Sequence, residues 1–325
     1  MKLGILGAGM IVGHFLEMVK ELPEIKLQAI LGTKRSKEKL LTIKEEYEIN
    51  QAFTDFTEML ENADMDTVYV ALPNHLHYAY AKQALEYGKH VICEKPFTLT
   101  LAEFKELKQL ALEKNLVLVE AITNQYLGNY QTIKKLMPEL GELKVIECNY
   151  SQYSSRYDAF KEGTILPAFN PKMGGGALMD INIYNIHFVV GLLGRPTEVY
   201  YLPNIERDID TSGVLVLDYP TVKVVCIGAK DSTSEIRSTI QGNKGSILIN
   251  GSSSLIVEVE KQLNGQEPIV YNNNVHSHRM YEEFAEFYRM ISEHDIVAVE
   301  KQLNHSEIVM EVVDKALASA KIVLG

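Results

Sequence analysis

Met1-Lys2-Leu3-Gly4-Ile5-Leu6-Gly7-Ala8-Gly9-Met10-Ile11-Val12-Gly13-His14 is the stretch that decides the fold. Its apolar run ends at Gly7, a Gly-Ala-Gly turn follows, and a helical pattern begins with Phe15, Leu16 and Val19. A strand, a tight turn and a helix start are expected in that order. Gly7 permits the turn, and Gly9 lacks a Cβ, so a pyrophosphate can approach the amides at the helix N-terminus, where Met10 and Ile11 stand. The usual dinucleotide fingerprint carries a third glycine three residues after the second; that place is Val12, and Gly13 comes one later. The third glycine serves helix–strand packing, so its loss weakens the pattern without removing the anion site. An ordinary turn after an edge strand is the competing reading of a lone Gly-x-Gly.

Pro23 breaks the first helix, and Leu27-Gln28-Ala29-Ile30-Leu31 reads as a second buried strand. In an NAD site an acidic side chain stands at its end and accepts from the adenosine ribose hydroxyls. This chain has Gly32-Thr33-Lys34-Arg35-Ser36 there. Two cations and two hydroxyls suit a 2'-phosphate better than a diol, because arginine binds phosphate bidentately and Ser or Thr can donate to it. NADP(H) is therefore favoured, with NAD(H) possible. The alternative is a solvated helix start, since Lys37, Glu38 and Lys39 continue the charge and Glu38 lies one helical turn from Lys34.

The alternation continues. Thr67-Val68-Tyr69-Val70-Ala71-Leu72 is a strand, residues 78–87 a helix stopped by Gly88, and Lys89-His90-Val91-Ile92-Cys93 another strand. Repeated β-α units of this length imply a parallel sheet with helices on both faces, whose ligands bind beyond the carboxyl ends of the strands. Gly7, Lys34, Leu72-Pro73-Asn74 and Glu94-Lys95-Pro96 all fall at that edge. His75 and His77 follow Pro73-Asn74, within reach of a nicotinamide carboxamide; their His-x-His spacing is not a metal signature by itself.

Ala71-Leu72-Pro73-Asn74-His75-Leu76-His77, Gly88-Lys89-His90-Val91 running into Glu94-Lys95-Pro96, and Gly174-Gly175-Gly176-Ala177-Leu178-Met179-Asp180 together resemble the glucose-fructose oxidoreductase, inositol dehydrogenase and MocA (Gfo/Idh/MocA) family. The likeness continues in Ile240-Gln241-Gly242-Asn243-Lys244-Gly245-Ser246-Ile247 and in the helix over residues 281–291, so it covers nearly the whole chain. It implies a nicotinamide-dependent oxidoreductase of a sugar, polyol or related hydroxy or carbonyl compound. The implied fold is a Rossmann domain followed by an α/β domain on a large open sheet.

The 325 residues, 46% hydrophobic and 23% charged, suit two domains of a globular protein. A net charge of −11 opposes binding to nucleic acid or an anionic membrane. Cys93, Cys148 and Cys226 are far apart and lack metal-ligand spacing, so they read as free thiols of a reducing compartment, and the protein as cytoplasmic. No signal-peptide core and no membrane span of about 20 apolar residues is expected.

From Leu143 the chain becomes rich in Val, Ile, Tyr and Thr: Val214-Leu215-Val216-Leu217, then residues 222–227, 235–240, 246–249 and 255–259. Asp218-Tyr219-Pro220 and Gly242-Asn243-Lys244-Gly245 read as hairpin turns. A mainly antiparallel sheet follows, with domains over residues 1–120 and 121–325 and a helix expected over residues 126–140. The apolar helix over residues 178–193 covers one face; a second subunit hides the other, making a homodimer or a dimer of dimers.

Hydride transfer to a carbonyl needs a proton donor and a group that polarises the oxygen. Lys95 precedes a proline at a strand's carboxyl end, an extended position that projects it into the crevice, and it matches the family's catalytic lysine; a plain surface lysine is the alternative. Asp180, Tyr184 and His187, spaced i, i+4 and i+7, share one face of a helix, and the glycines at 174 to 176 let the preceding loop approach the cofactor. The resemblance makes Tyr184 the acid/base, Asp180 its orienter and His187 a substrate-facing group or second proton relay. A buried helix face with satisfied hydrogen bonds is the other reading of Tyr184 and His187. Arg156, Tyr153, Tyr157 and Lys161 form a polar stretch open to a pocket role. Two other functions fit the same residues: a silent NAD(P)-binding sensor, against which the set Lys95, Asp180 and Tyr184 argues, and a lyase or glycosidase that uses NAD transiently.

Overall fold

The computed structural model describes residues 1–325. Its first part alternates strands and helices: Lys2–Leu6 (β1), Met10–Met18 (α1), Lys26–Leu31 (β2), Lys37–Glu46 (α2), Gln51–Phe53 (β3), Phe56–Asn62 (α3), Thr67–Val70 (β4), His77–Glu86 (α4), His90–Glu94 (β5), Leu101–Glu113 (α5) and Leu118–Ala121 (β6). The strands form one parallel sheet in the order β3-β2-β1-β4-β5-β6. Chain order reverses between β1 and β4, which is where a doubly wound sheet opens a crevice. Leu6 is level with Leu31 and Val70, and Val70 with Cys93, so four strands end along one line.

Compactness does not follow a single cut in the chain. One unit is Met1–Ala121 with Met280–Asn304, the other Ile122–Arg279 with His305–Gly325. The expected boundary near residue 120 divides the chain once, whereas residues 280–304 return to the first unit. Phe284 packs there, its ring 4.6 Å from Phe15 and 5.2 Å from Tyr69, all three fully buried.

The second unit holds Gly128–Leu136 (α6), Leu143–Ser151 (β7), Tyr157–Lys161 (α7), Ile183–Leu193 (α8), Glu198–Glu206 (β8), Ile209–Asp218 (β9), Lys223–Ala229 (β10), Arg237–Gly242 (β11), Gly245–Asn250 (β12), Glu258–Leu263 (β13) and Ile269–Tyr271 (β14). Tyr281–Ser292 (α9) and Ile296–Ala320 (α10) end the chain. The sheet runs β14-β13-β12-β11-β7-β10-β9-β8, antiparallel except for the pair β7 and β10. Asn182 and Asn185, at the start of α8, donate to the carbonyls of Cys226 and Ile227 at 3.3 and 3.1 Å, fixing that helix on one face of β10. On the other face Tyr200, Val216 and Val225 stand in register across three strands, as do Leu202, Val214 and Ile227.

Three local expectations shift. The helix expected over 126–140 ends at Leu136 and tightens into a 3-10 turn, because Pro138 has no amide for the α-helical ladder. The strand expected at 255–259 starts at Glu258: Thr123 and Asn129 side chains take the Ser254, Ile256 and Val257 carbonyls, and Ile256 has φ +42°. Pro171–Leu193 does reach the length and mean hydropathy of a membrane span, against expectation; 72% of its apolar window is buried inside the protein.

Candidate active site

The end of β1 suits a dinucleotide phosphate. Gly7 has φ +112°, and a Cβ there would stand 2.4 Å from the Ala71 carbonyl oxygen, so the β1 and β4 ends approach this closely only with glycine. Gly9 leads into α1 without any side-chain cap, and a Cβ on it would meet nothing within 4 Å. The amides of the first turn, at exposed Met10 and half-buried Ile11, therefore face open space as an anion site requires. Val12 is buried in the core and Gly13 has open space around it, so neither place needs the fingerprint's third glycine. Lys39 on α2 donates to the Ala8 carbonyl at 2.6 Å and ties the turn to the segment beyond β2.

That segment holds Lys34 and Arg35 exposed, neither in an ion pair, and Glu38 does not neutralise Lys34. The Thr33 and Ser36 hydroxyls, expected to donate to a phosphate, are spent on each other: Ser36 Oγ is 3.1 Å from Thr33 Oγ1, accepts from Thr33 N–H at 2.9 Å and donates to Thr33 O at 3.0 Å. The turn is preorganised, and its two cations are what it offers a ligand.

Beyond β4 and β5 the two histidines, both expected within reach of a nicotinamide carboxamide, differ. His77 is fully buried, with Nδ1 2.8 Å from Pro96 O and Nε2 2.8 Å from Leu72 O. It braces two strand-end loops and does not face a nicotinamide. Burial holds its pKa below the ordinary histidine value, the two carbonyls opposing. His75 Nδ1, in contrast, is buried with no hydrogen-bond partner, as a site for a ligand's polar group would leave it. Glu94 is nearly buried and accepts the Tyr69 hydroxyl inside the sheet, whereas Lys95, one residue later, is half-exposed before a cis proline. The uncapped helix, the exposed cation pair and the orphaned His75 nitrogen fit a nicotinamide dinucleotide.

In the second unit, a π-helical turn over Leu178–Asn182 precedes α8. Its i→i+5 geometry breaks the continuous α-helix on which Asp180, Tyr184 and His187 were expected to share a face. Asp180 is a third exposed and pairs with Lys230 at 2.7 Å. Tyr184 points to Tyr150 of β7, ring centroids 6.1 Å apart, and accepts from Arg279 Nη1 at 3.5 Å. Arg279 lines a cavity of about 470 Å³ together with Leu127, Leu255, Val257, Asn274 and His276. His187 is fully buried and faces the last helix, its Nδ1 2.9 Å from His305 Nε2, so it is not the substrate-facing group expected. The glycine run also packs inward: at Gly176, φ +108°, a Cβ would stand 2.0 Å from Asp210 Oδ1, which shows a close approach to protein and not to a cofactor. Tyr153, Tyr157 and Lys161 are engaged locally, Tyr153 and Lys161 with Asp158 and Tyr157 with Glu206.

The family model described as "Oxidoreductase family, NAD-binding Rossmann fold" matches residues 1–121, and the "GFO/IDH/MocA C-terminal domain" matches residues 130–248. The scyllo-inositol 2-dehydrogenase (NADP(+)) of Bacillus subtilis (strain 168) is 36% identical over 253 residues, 77% of this chain and 76% of that protein. The chain belongs to the Gfo/Idh/MocA oxidoreductase family. A further Gfo/Idh/MocA-like relative, the trans-1,2-dihydrobenzene-1,2-diol dehydrogenase of Xenopus tropicalis, is 28% identical over 254 residues, 76% of this chain and 74% of that one. A solved 3-ketoreductase from Actinomadura kijaniata, in complex with NADP and TDP-benzene, shares the fold with a TM-score of 0.84 and 21% identity, over 97% of this chain and 98% of that one.

Within this Gfo/Idh/MocA oxidoreductase three residues escaped sequence reasoning. Lys39 read as part of a solvated helix start, and Lys230 and Arg279 drew no reading at all. None carries a local signal; each acquires its role from a partner far away in sequence.

Proposed function

We propose that this chain is an NADP(H)-dependent dehydrogenase of a secondary hydroxyl on a sugar, cyclitol or related polyol, working reversibly on the corresponding ketone. The observation that carries the cofactor choice is the exposed, unneutralised pair Lys34 and Arg35 on a hydrogen-bonded turn beyond β2, followed by a helix that Lys39 ties to Ala8 in the turn before α1. The NADP(+) dependence in the name of the B. subtilis relative supports it, and that enzyme's inositol substrate supports the polyol class.

Gly7, Gly9, Met10 and Ile11 hold the pyrophosphate, Lys34 and Arg35 the 2'-phosphate, and Leu72, Pro73, Asn74 and His75 the nicotinamide side. The cofactor supplies the hydride acceptor when bound. Lys95 places an ammonium on the substrate oxygen, which polarises a carbonyl and stabilises the alkoxide. Tyr184 takes the hydroxyl proton in oxidation and returns it in reduction, with the Arg279 guanidinium donating to the phenolic oxygen and stabilising negative charge there. Asp180 orients this end of the substrate. His187 braces α8 against the last helix.

We also propose a cytoplasmic homodimer, or dimer of dimers, joined through the open face of the second sheet. Tyr200 and Leu202 are 53% and 66% exposed there, beside half-buried Val214, Val216, Val225 and Ile227. An apolar face over adjacent strands is what a self-association surface needs. All three cysteines are buried and free, which suits a reducing compartment.

The test is a panel of cyclitols, sugars and polyols with NADP+ and NAD+, followed at the nicotinamide absorbance band. Turnover that K95M lowers by orders of magnitude is expected. Cofactor binding without turnover on the whole panel would point to a sensor; product without net absorbance change would point to a lyase or glycosidase.

A further inference from the structure

Lys230 follows β10 and is 2% exposed, an unusual burial for a lysine. Its ammonium lies 2.7 Å from Asp180 Oδ2, donates to the Ala168 carbonyl and sits 4.3 Å above the centre of the Phe169 ring. The backbone that carries it is pinned: Lys230 N–H donates to Thr211 O at 2.8 Å, and the Thr211 and Ser212 hydroxyls both donate to Asp231 Oδ2 at 2.7 Å. Behind it Asp210, fully buried, accepts from Tyr201 OH at 2.6 Å and Leu178 N–H at 2.7 Å, which fixes the start of the π-helical turn.

Burying an ammonium to make an ion pair is a poor way to gain stability, since an apolar side chain of similar volume commonly serves as well or better. What a buried ammonium does supply is a fixed, directional partner for one carboxylate, and that carboxylate is the one proposed above to orient the substrate. Lys230 also reaches the loop before Gly174 through Ala168 O, so one cation ties the π-helical turn that carries Asp180 to the loop that precedes it.

We propose that Lys230 is a positioning residue for hydride transfer, holding the Asp180 carboxylate in its working orientation through this salt bridge. This rests on the reading of the chain as a polyol dehydrogenase. Lys230 is 2% exposed and its ammonium is engaged by Asp180, the Ala168 carbonyl and the Phe169 ring, so its effect on the reaction passes through Asp180.

The experiment compares wild type, K230M, K230R, D180N and D180N/K230M for kcat, KM of polyol and cofactor, NADPH affinity and melting temperature. K230M is expected to lower kcat at least tenfold with NADPH affinity within twofold of wild type. K230R, which keeps a cation at that place, is expected to recover most of the loss. D180N/K230M is expected to be no slower than D180N alone. Turnover of K230M within twofold of wild type, or a double variant slower than D180N by the same factor that K230M slows wild type, would overturn the proposal. A drop in kcat that merely follows melting temperature across all variants, without recovery in K230R, would overturn it as well. Should K230M melt below the assay temperature, K230Q and K230R carry the comparison. Absence of wild-type turnover on every polyol defeats the functional reading, and the positioning role with it; normal wild-type turnover that K230M leaves intact defeats the positioning role alone.

Discussion

Arg279 Nη1 stands 3.5 Å from the Tyr184 hydroxyl oxygen, a contact between residues 95 apart in sequence. The guanidinium cannot be deprotonated, so it offers a constant positive N–H to the oxygen proposed to exchange a proton. R279M is expected to lower kcat about tenfold, equivalent to ~1.4 kcal/mol. Y184F, which removes the exchangeable proton, is expected to lower it by roughly 10² to 10⁴. Steady-state rates on the best polyol check both; Y184F at wild-type speed would remove Tyr184 from the chemistry.

Cofactor choice is expected to follow Arg35 and Lys34. Each charge-assisted bond to a 2'-phosphate is worth ~1.5 to 3 kcal/mol before desolvation. R35A is then expected to weaken NADPH about tenfold or more while leaving NADH affinity unchanged. Fluorescence titration of both reduced cofactors reads the difference; equal weakening of the two would assign Arg35 a general structural role.

The two glycines of the first turn are expected to fail differently. At Gly7 a methyl group meets the Ala71 carbonyl oxygen at 2.4 Å with φ at +112°, so G7A is expected to lose roughly 2 kcal/mol or more of folding stability. At Gly9 a methyl group meets nothing within 4 Å of the protein, so G9A is expected to keep the melting temperature and lose affinity for both dinucleotides. Thermal denaturation with and without NADPH separates the two outcomes.

Stability is expected to fall on mild acidification. Burial, then the His187 and Lys134 charges, hold His305 well below the usual histidine pKa, and burial lowers His77 likewise. A lowered folded pKa means that the unfolded chain takes up a proton near pH 6.5 that the folded chain refuses, so stability is present above that pH and lost below it. Asp210 acts oppositely: burial raises its folded pKa to about 6, so it favours the folded state as pH drops from there toward 3.8. The melting temperature is thus expected to decline most clearly between about pH 7 and 6, and less steeply below. H305Q is expected to flatten that decline; an identical slope in the variant would exclude His305 as its source.

Self-association is expected to depend on the open sheet face. L202D places a charge at a residue 66% exposed in the single chain, where it should be harmless to folding. It is expected to convert a dimer into monomers in light scattering at micromolar concentration without changing the melting of the isolated subunit. A monomeric wild type would defeat the proposed interface.

The alternation of strands and helices through residue 121 was legible because periodicity and turn chemistry are local: an apolar run bounded by Gly7, or a helix stopped by Gly88 with φ +73°, needs no distant partner to be recognised. The same holds for Lys34, Arg35 and Lys95, whose placement follows once the sheet is parallel, because every strand then ends at the same edge. The second sheet was legible as mainly antiparallel, but the parallel pairing of β7 with β10 was not, since neighbours 70-odd residues apart are chosen by which faces can be buried together. Helical spacing put Asp180, Tyr184 and His187 on one face, yet the π turn at Leu178–Asn182 takes Asp180 out of that spacing and the packing of α10 pairs His187 with His305. Lys39 on Ala8, Lys230 on Asp180, Arg279 on Tyr184 and the return of residues 280–304 to the first unit are likewise tertiary decisions. Each depends on a long side chain or segment meeting a partner that only the packed fold brings near, and no local pattern encodes that meeting.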